Sequence, residues 1–266
     1  MRTKLDYILH KNGSEILFED EAVLVIDKPA GLLVLPDRFD KTLVNLYDLL
    51  KEALGAIFIV HRIDRETSGV VLFARTAESH ASLNAAFEQR HIEKYYRAIV
   101  VGSPSAQSGT IDLPIGENSH GPRKMKIDNQ NGKEAITAYT VLEKFDQYAY
   151  LEARPRTGRT HQIRVHLNAI GLPILSDPLY GSSGRLFLSK LKRNYKSNGE
   201  EKPLIARTAL HAFSLTFVHP GTGEKMSIET PLPKDMSMVL KVLRKYQGSR
   251  RAGGSSTLID SDTEER

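Results

Sequence analysis

The run HRIDRETSG, residues 61–69, sets one imidazole, two guanidinium groups and two carboxylates beside a closing Ser-Gly, and leads straight into the apolar stretch VVLFA. Ile63, Val70, Val71 and Leu72 would bury the flanks of that turn. Asp64 would then sit at the edge of a core, where a carboxylate needs a cationic partner. A second run can supply one: ARPRTGRTHQIRVHL, residues 153–167, carries arginines at 154, 156, 159 and 164. Arg156 and Arg159 precede or open a helix, where free backbone N–H groups also favour phosphate. Arg164 lies one turn past Thr160, on the helix body. A carboxylate kept ionised by an arginine can act as a nucleophile or as a base. Spacing alone also allows a plainer reading, a charged turn and a basic surface helix.

Other chemistries are excluded or weakened. With no Cys there is no disulfide, no thiolate–metal site and no cysteine nucleophile. Neither G-x-G-x-x-G nor G-x-x-x-x-G-K-[ST] occurs, so nucleotide-cofactor loops are unsupported, and GENSHGPRK reads as a basic loop. There is no H-E-x-x-H. His161 and His166 are separated by about 500° of helical rotation and point different ways, so no metal site is expected. Asp64 and Glu66 form a poor acid/base couple for a glycoside hydrolase, because residues two apart in a turn need not share a face. The net charge of +5 on 266 residues is compatible with an anionic partner. The N-terminus lacks an apolar core of signal-peptide length, and no run of about 18 apolar residues suggests a membrane span.

The elements that must position these residues follow from periodicity. AVLVID (22–27), VVLFA (70–74) and YYRAIVVG (95–102) read as strands, and TLVNLYDLLKEAL (42–54) as a helix. TAESHASLNAAFEQR reads as a helix capped by Thr76. EAITAYTVLEKF and YAYLEARPR flank Asp146-Gln147 as a hairpin. THQIRVHLNAI (160–170) is a helix closed by Gly171. ALHAFSLTFVHP and EKMSIET form a last strand pair, and KDMSMVLKVLRKY a final amphipathic helix. The picture is one mixed α and β domain, residues 1–246, with a disordered tail over 247–266.

HRIDRETSGVVLFA resembles the H-R-L-D-x-x-T-S-G-L-L-L-F-A signature of the RluA family of RNA pseudouridine synthases. DKPAG (27–31) looks like the family's K-P-x-G motif and EKYYRAIVVG like its K-x-Y-x-A strand. RTGRTHQIRVHL, GLPILSDPLYG and LHAFSLTFVHP match in order and spacing, so the likeness covers about residues 17–232. Ile63 and Val70 are conservative departures. The resemblance implies an α+β catalytic domain: a long mixed, mostly antiparallel sheet with flanking helices and a central RNA-binding cleft. It implies an isomerase that needs no cofactor or metal and acts on a flipped uridine of ribosomal or transfer RNA, in a cytoplasmic monomer.

By motif match Asp64 is the catalytic carboxylate, either attacking C1′ of the ribose or abstracting a ribose proton to give a glycal. Arg164 pairs with it. Tyr96 packs on the target base and assists loss of the C5 proton. Arg62 enters the RNA helix to extrude the uridine, because C1′ and C5 are inaccessible in a stack. Leu210 lines the uracil pocket or belongs to the core. His61 packs or hydrogen-bonds within its turn, and Thr67, Ser68 and Gly69 shape the loop. Lys28, Arg156 and Arg159 are phosphate contacts, with Arg123, Lys124 and Lys126 as further candidates. Many relatives carry an N-terminal S4 domain; this sequence starts about 15 residues before its first motif, and none is expected here. The competing class is a catalytically idle RNA-binding or ribosome-assembly protein on the same fold, against which the intact Asp64, Tyr96 and Arg164 set argues.

Overall fold

The computed structural model describes residues 3–118, 124–181, 184–196, 199–248 and 250–251. Its elements run α1 (Lys4–Lys11), β1 (Glu15–Glu19), β2 (Val23–Lys28), α2 (Leu46–Leu54), β3 (Phe58–Ile59), β4 (Ser68–Ala74), α3 (Ala77–Glu88) and β5 (Glu93–Val101). They continue as β6 (Ser108–Asp112), β7 (Ile115–Glu117), β8 (Met125–Ile127), β9 (Ile136–Lys144), β10 (Tyr148–Pro155) and α4 (Gln162–Ala169). β11 (Leu210–Val218), β12 (Lys225–Glu229), α5 (Lys234–Tyr246) and β13 (Arg250–Arg251) follow within the described residues. Arg123 and the tail beyond 251 lie outside the described residues.

One sheet organises the molecule in the order β1-β2-β4-β11-β5-β10-β9-β13, with β3 on β4, β12 on β11 and β6 on β9. Its pairings are antiparallel except β4 with β11, which is parallel. This is the α+β arrangement, mixed and largely antiparallel, that the resemblance implies. β4 is buried along its whole length, which explains why VVLFA is apolar without alternation. Its two faces serve two cores. Val71 and Phe73 join Leu24 and Ile26 against Leu5, Leu9, Leu46 and Leu50 of α1 and α2. Val70 and Leu72 join Val23 and Val25 against Leu83 of α3 and Phe217. That split is the period of two expected of a strand. A third core sits under β5, β9 and β10, where Met236, Val239, Leu240 and Leu243 of α5 supply one apolar stripe.

Two helix starts differ from the sequence reading. α2 begins at Leu46 rather than 42, because Asn45 pairs with Leu33 as a bridge and its side chain caps the Asp48 N–H. α4 begins at Gln162 rather than 160, because His161 adopts a left-handed backbone with φ 55°. At the far end the expected tail is partly a strand, since Arg250 and Arg251 pair with Lys144 and Glu143 of β9.

The parallel contact of β4 with β11 aims the HRIDRETSG turn. His211 and Ala212 lie opposite Ser68 and Gly69. Gly69 has φ +115°, and a Cβ there would stand 2.1 Å from the Ala212 carbonyl oxygen. Only glycine fits where the turn enters the sheet.

Candidate active site

The turn before β4 and the loop between β10 and α4 face each other across a cavity of about 470 Å³. Asp64 lines it from the first side and Arg164 from the second. Arg164 Nη1 donates to Asp64 Oδ2 at 3.0 Å. The other edge of the same guanidinium is clamped by Asp177, with Nε to Oδ2 at 2.7 Å and Nη2 to Oδ1 at 2.9 Å. Arg164 is 4% exposed, so α4 is not a surface helix. Burial disfavours its charge, yet the hydrogen bonds and charge of Asp177, then those of Asp64, drive its pKa above the ordinary range. Asp177 mirrors this: burial would raise its carboxyl, but Arg164 and the Leu179 and Tyr180 N–H groups pull it below the usual value. Bidentate clamping of Nε and Nη2 by one carboxylate fixes the guanidinium so that Nη1 is presented to the other.

His161 closes the site from the N-terminus of α4. Its Nδ1 is 2.9 Å from the Tyr180 hydroxyl and its Nε2 is 3.9 Å from Asp64 Oδ2. Burial lowers its pKa, opposed by Asp64. The Tyr180 hydroxyl also accepts the Met125 N–H at 2.8 Å, and its ring stacks under Arg164 with 5.1 Å from the guanidinium carbon to the centroid. Asp177 and Tyr180 were not singled out in the sequence, where His161 entered only as a rejected metal ligand. Asp177 and Tyr180 sit in SDPLYG, a segment whose order matched but whose Asp-Pro turn gave no sign of facing an arginine.

Tyr96 and Leu210 come together with Asp64 on the cavity wall, as the motif match expects. Burial, reinforced by the Asp64 charge, raises the Tyr96 phenol well above its usual pKa and keeps it protonated. Leu210 is also almost fully buried. Arg62 and Arg156 are exposed at the rim, and Arg159 is half-buried with Nε donating to the Glu134 carbonyl at 3.0 Å. Lys124 Nζ lies over the Tyr180 ring, 5.6 Å from the centroid, and Lys126 faces Asp128. Glu66 is not among the residues that line the cavity, so it is not placed as a second catalytic carboxylate.

His61 accepts the Leu72 N–H through Nε2 at 2.9 Å and stacks on Phe87, which is a packing role. Thr67 N–H closes the turn onto the Asp64 carbonyl, and Ser68 Oγ meets His211 Nδ1 at 3.0 Å. Arg207, also unread from sequence, clamps Asp235 and donates to the Glu66, Thr208 and Leu210 carbonyls. It ties α5 to the turn that carries Asp64.

Lys28 is a correction. It is 0% exposed and cannot meet a phosphate. Its ammonium donates to the Pro29 and Leu32 carbonyls at 2.8 Å and to the Arg65 carbonyl at 3.2 Å. Burial pulls its pKa down to about 7 against the pull of Glu66 and Asp64. Its function is to staple the DKPAG loop to the residue after Asp64.

Comparison with known proteins identifies the family. The RNA pseudouridylate synthase family model matches residues 22–169. Ribosomal large subunit pseudouridine synthase D of Zymomonas mobilis is 40% identical over 86% of this chain and 72% of its own length. Its namesake in Pseudomonas aeruginosa is 42% identical over 87% of this chain and 72% of its own. The uncharacterized RNA pseudouridine synthase YlyB of Bacillus subtilis is 37% identical over 91% of this chain and 76% of its own length. The solved structure of human RNA pseudouridylate synthase domain containing 4 superposes with a TM-score of 0.68 at 27% identity, over 90% of this chain and 95% of that one.

Proposed function

We infer the details of the chemistry from one premise: the chain belongs to the RNA pseudouridylate synthase family, isomerases that act on RNA. Asp64 is the catalytic carboxylate and a uridine of large-subunit ribosomal RNA, flipped out of its stack, is the substrate. The reaction breaks the uracil N1–C1′ bond, turns the base and joins C5 to C1′. N1 gains a proton and C5 loses one, so no cofactor is consumed. Asp64 acts either on C1′ directly or on a ribose proton. The observation that carries this reading is the 3.0 Å contact between Asp64 and Arg164 inside a cavity that also holds Tyr96.

Arg164 holds the carboxylate in place and favours its charged form over a protonated one. Tyr96 offers its ring face to the base, worth of order 1–3 kcal/mol of stacking. Its protonated phenol is no resting base for the C5 proton. Arg62 at the rim fills the gap left by the extruded uridine. Ribosomal RNA is favoured over transfer RNA by the names of the relatives alone.

The test incubates the protein with separate pools of unmodified large-subunit ribosomal RNA and transfer RNA and maps pseudouridine in each. Product is expected in the ribosomal pool, none with Asp64→Asn, and substantial product with Glu66→Gln. An active Asp64→Asn protein would end the assignment of Asp64. Product only in transfer RNA would keep the chemistry and move the substrate.

A further inference from the structure

Lys94 lies at the start of β5, in the same cavity, with a charge that the protein leaves unanswered. Its Nζ donates to the Thr157 carbonyl at 3.2 Å. No carboxylate stands within 4.0 Å of it among the described residues, unlike the enclosed Arg164 of the same cavity. Arg90 is held by Glu134, and Arg164 by Asp64 and Asp177. Arg159 leans on the Glu134 carbonyl. Arg62 and Arg156 are exposed and keep their hydration. A mostly enclosed ammonium without a counter-ion is costly, and the cost is removed when an anion arrives. The backbone opposite is open: a Cβ on Gly158 would meet nothing nearer than Lys94 Nζ, at 3.9 Å. Lys94 Nζ and the exposed Gly158 backbone therefore face each other across the cavity edge between β5 and the loop before α4.

We propose that Lys94 binds a phosphodiester of the RNA strand at or next to the flipped nucleotide, the strand passing over Gly158 to reach it. This rests on the assignment of an RNA strand to the cavity. The partner is a singly charged phosphodiester that brings the negative charge this position lacks. The free ammonium is strained toward neutrality, since burial lowers its pKa to about 8. Bound phosphate reverses that pressure. Binding by the free enzyme should then weaken as pH rises through about 8, because the charged form is the binding form. Groups facing Lys94 do not titrate there: burial holds His61 down at about 3, and Tyr96 is raised beyond its usual range. Arginines are cations at that pH by their chemistry, Asp64 and Glu88 are the carboxylates of the cavity, and burial lowers the pKa of His161 away from that range.

The experiment uses the full chain and a synthetic RNA stem-loop containing the uridine that the wild-type protein modifies. The phosphates on either side of it are replaced one at a time by an uncharged methylphosphonate. For the wild type, one replacement is expected to weaken binding about 10- to 100-fold. With Lys94→Met, binding to the unmodified RNA should be weaker by the same factor, and the methylphosphonate should cost nothing further. The salt slope of Lys94→Met should be shallower by about 0.7. Lys94→Arg should bind well and lose the alkaline decline. If both methylphosphonate RNAs cost Lys94→Met as much as they cost the wild type, the proposal is overturned and Lys94 only props the Thr157 carbonyl. The measurement on wild-type protein with modified RNA holds even if a variant folds poorly. Absence of pseudouridine from any RNA with the wild-type protein would instead strike the assignment of the reaction.

Discussion

A single guanidinium carries two separate duties. Arg164 presents one N–H to Asp64 because its other edge is fixed by Asp177, a carboxylate with no exposed side-chain surface. Asp177 does not line the cavity, so it acts on the reaction at second hand, chiefly through Arg164. Asp177→Asn keeps an acceptor for the Leu179 and Tyr180 N–H groups but breaks the ion pair. The single-turnover rate is expected to fall about 100-fold from misplacement of the arginine, with RNA affinity unchanged. Arg164→Met should do more, abolishing turnover and costing roughly 3–5 kcal/mol by leaving a buried carboxylate unpaired. Rates and denaturation midpoints of the two variants separate the effects. An Asp177→Asn enzyme with parental turnover would show that Asp64 alone orients Arg164.

At the level of elements, the fold exists to bring two loops together, and Lys28 shows how. It ends β2 and donates to three carbonyls, one of them in the turn that carries Asp64. Lys28→Met should lose about 2 kcal/mol or more through unsatisfied buried carbonyls and slow turnover as the turn loosens. Its salt slope for RNA should equal that of the wild type. A slope shallower by about 0.7 would restore Lys28 as a phosphate contact. The sequence misplaced this lysine because charged side chains default to the surface, and only the tertiary fold delivers the carbonyls. The same reason hid Asp177 and Arg207, whose partners are distant in sequence. By contrast β2, β4, β5, the β9–β10 hairpin and α3 were legible, since continuous apolar runs, a two-residue turn and the Thr76 cap are local signals. α1, β1 and the short β6, β7 and β8 were missed, being too brief or too polar to show a period. Asp64, Tyr96, Arg164 and Leu210 were placed by family resemblance; composition and spacing alone offered no more than the first and third.

For the whole molecule, the way charge is kept out of the sheet sets how it responds to acid. His211 on β11 is 1% exposed, its Nδ1 facing Ser68 Oγ beside the parallel junction with β4. Burial lowers its pKa to about 4, from an ordinary value of 6.5. His61, accepting from β4, is lowered by burial to about 3. Above pH 6.5 both are neutral in the folded and unfolded chain and contribute nothing to the pH dependence. Below 6.5 the unfolded chain takes up protons that the folded one refuses, so stability falls with pH until each folded value is reached. Each histidine can impose a slope of up to about 1.4 kcal/mol per pH unit in that window. Carboxylates titrate near its lower end, including Asp27, whose value burial raises and which therefore works in the opposite sense. The difference between wild type and His211→Gln isolates the histidine. Urea midpoints measured from pH 7 to 4 should show the wild type losing stability faster than the variant below 6.5, the gap closing as pH falls. Parallel profiles across that range would mean that the junction between β4 and β11 admits a charged imidazole, and that its burial does not exclude the proton.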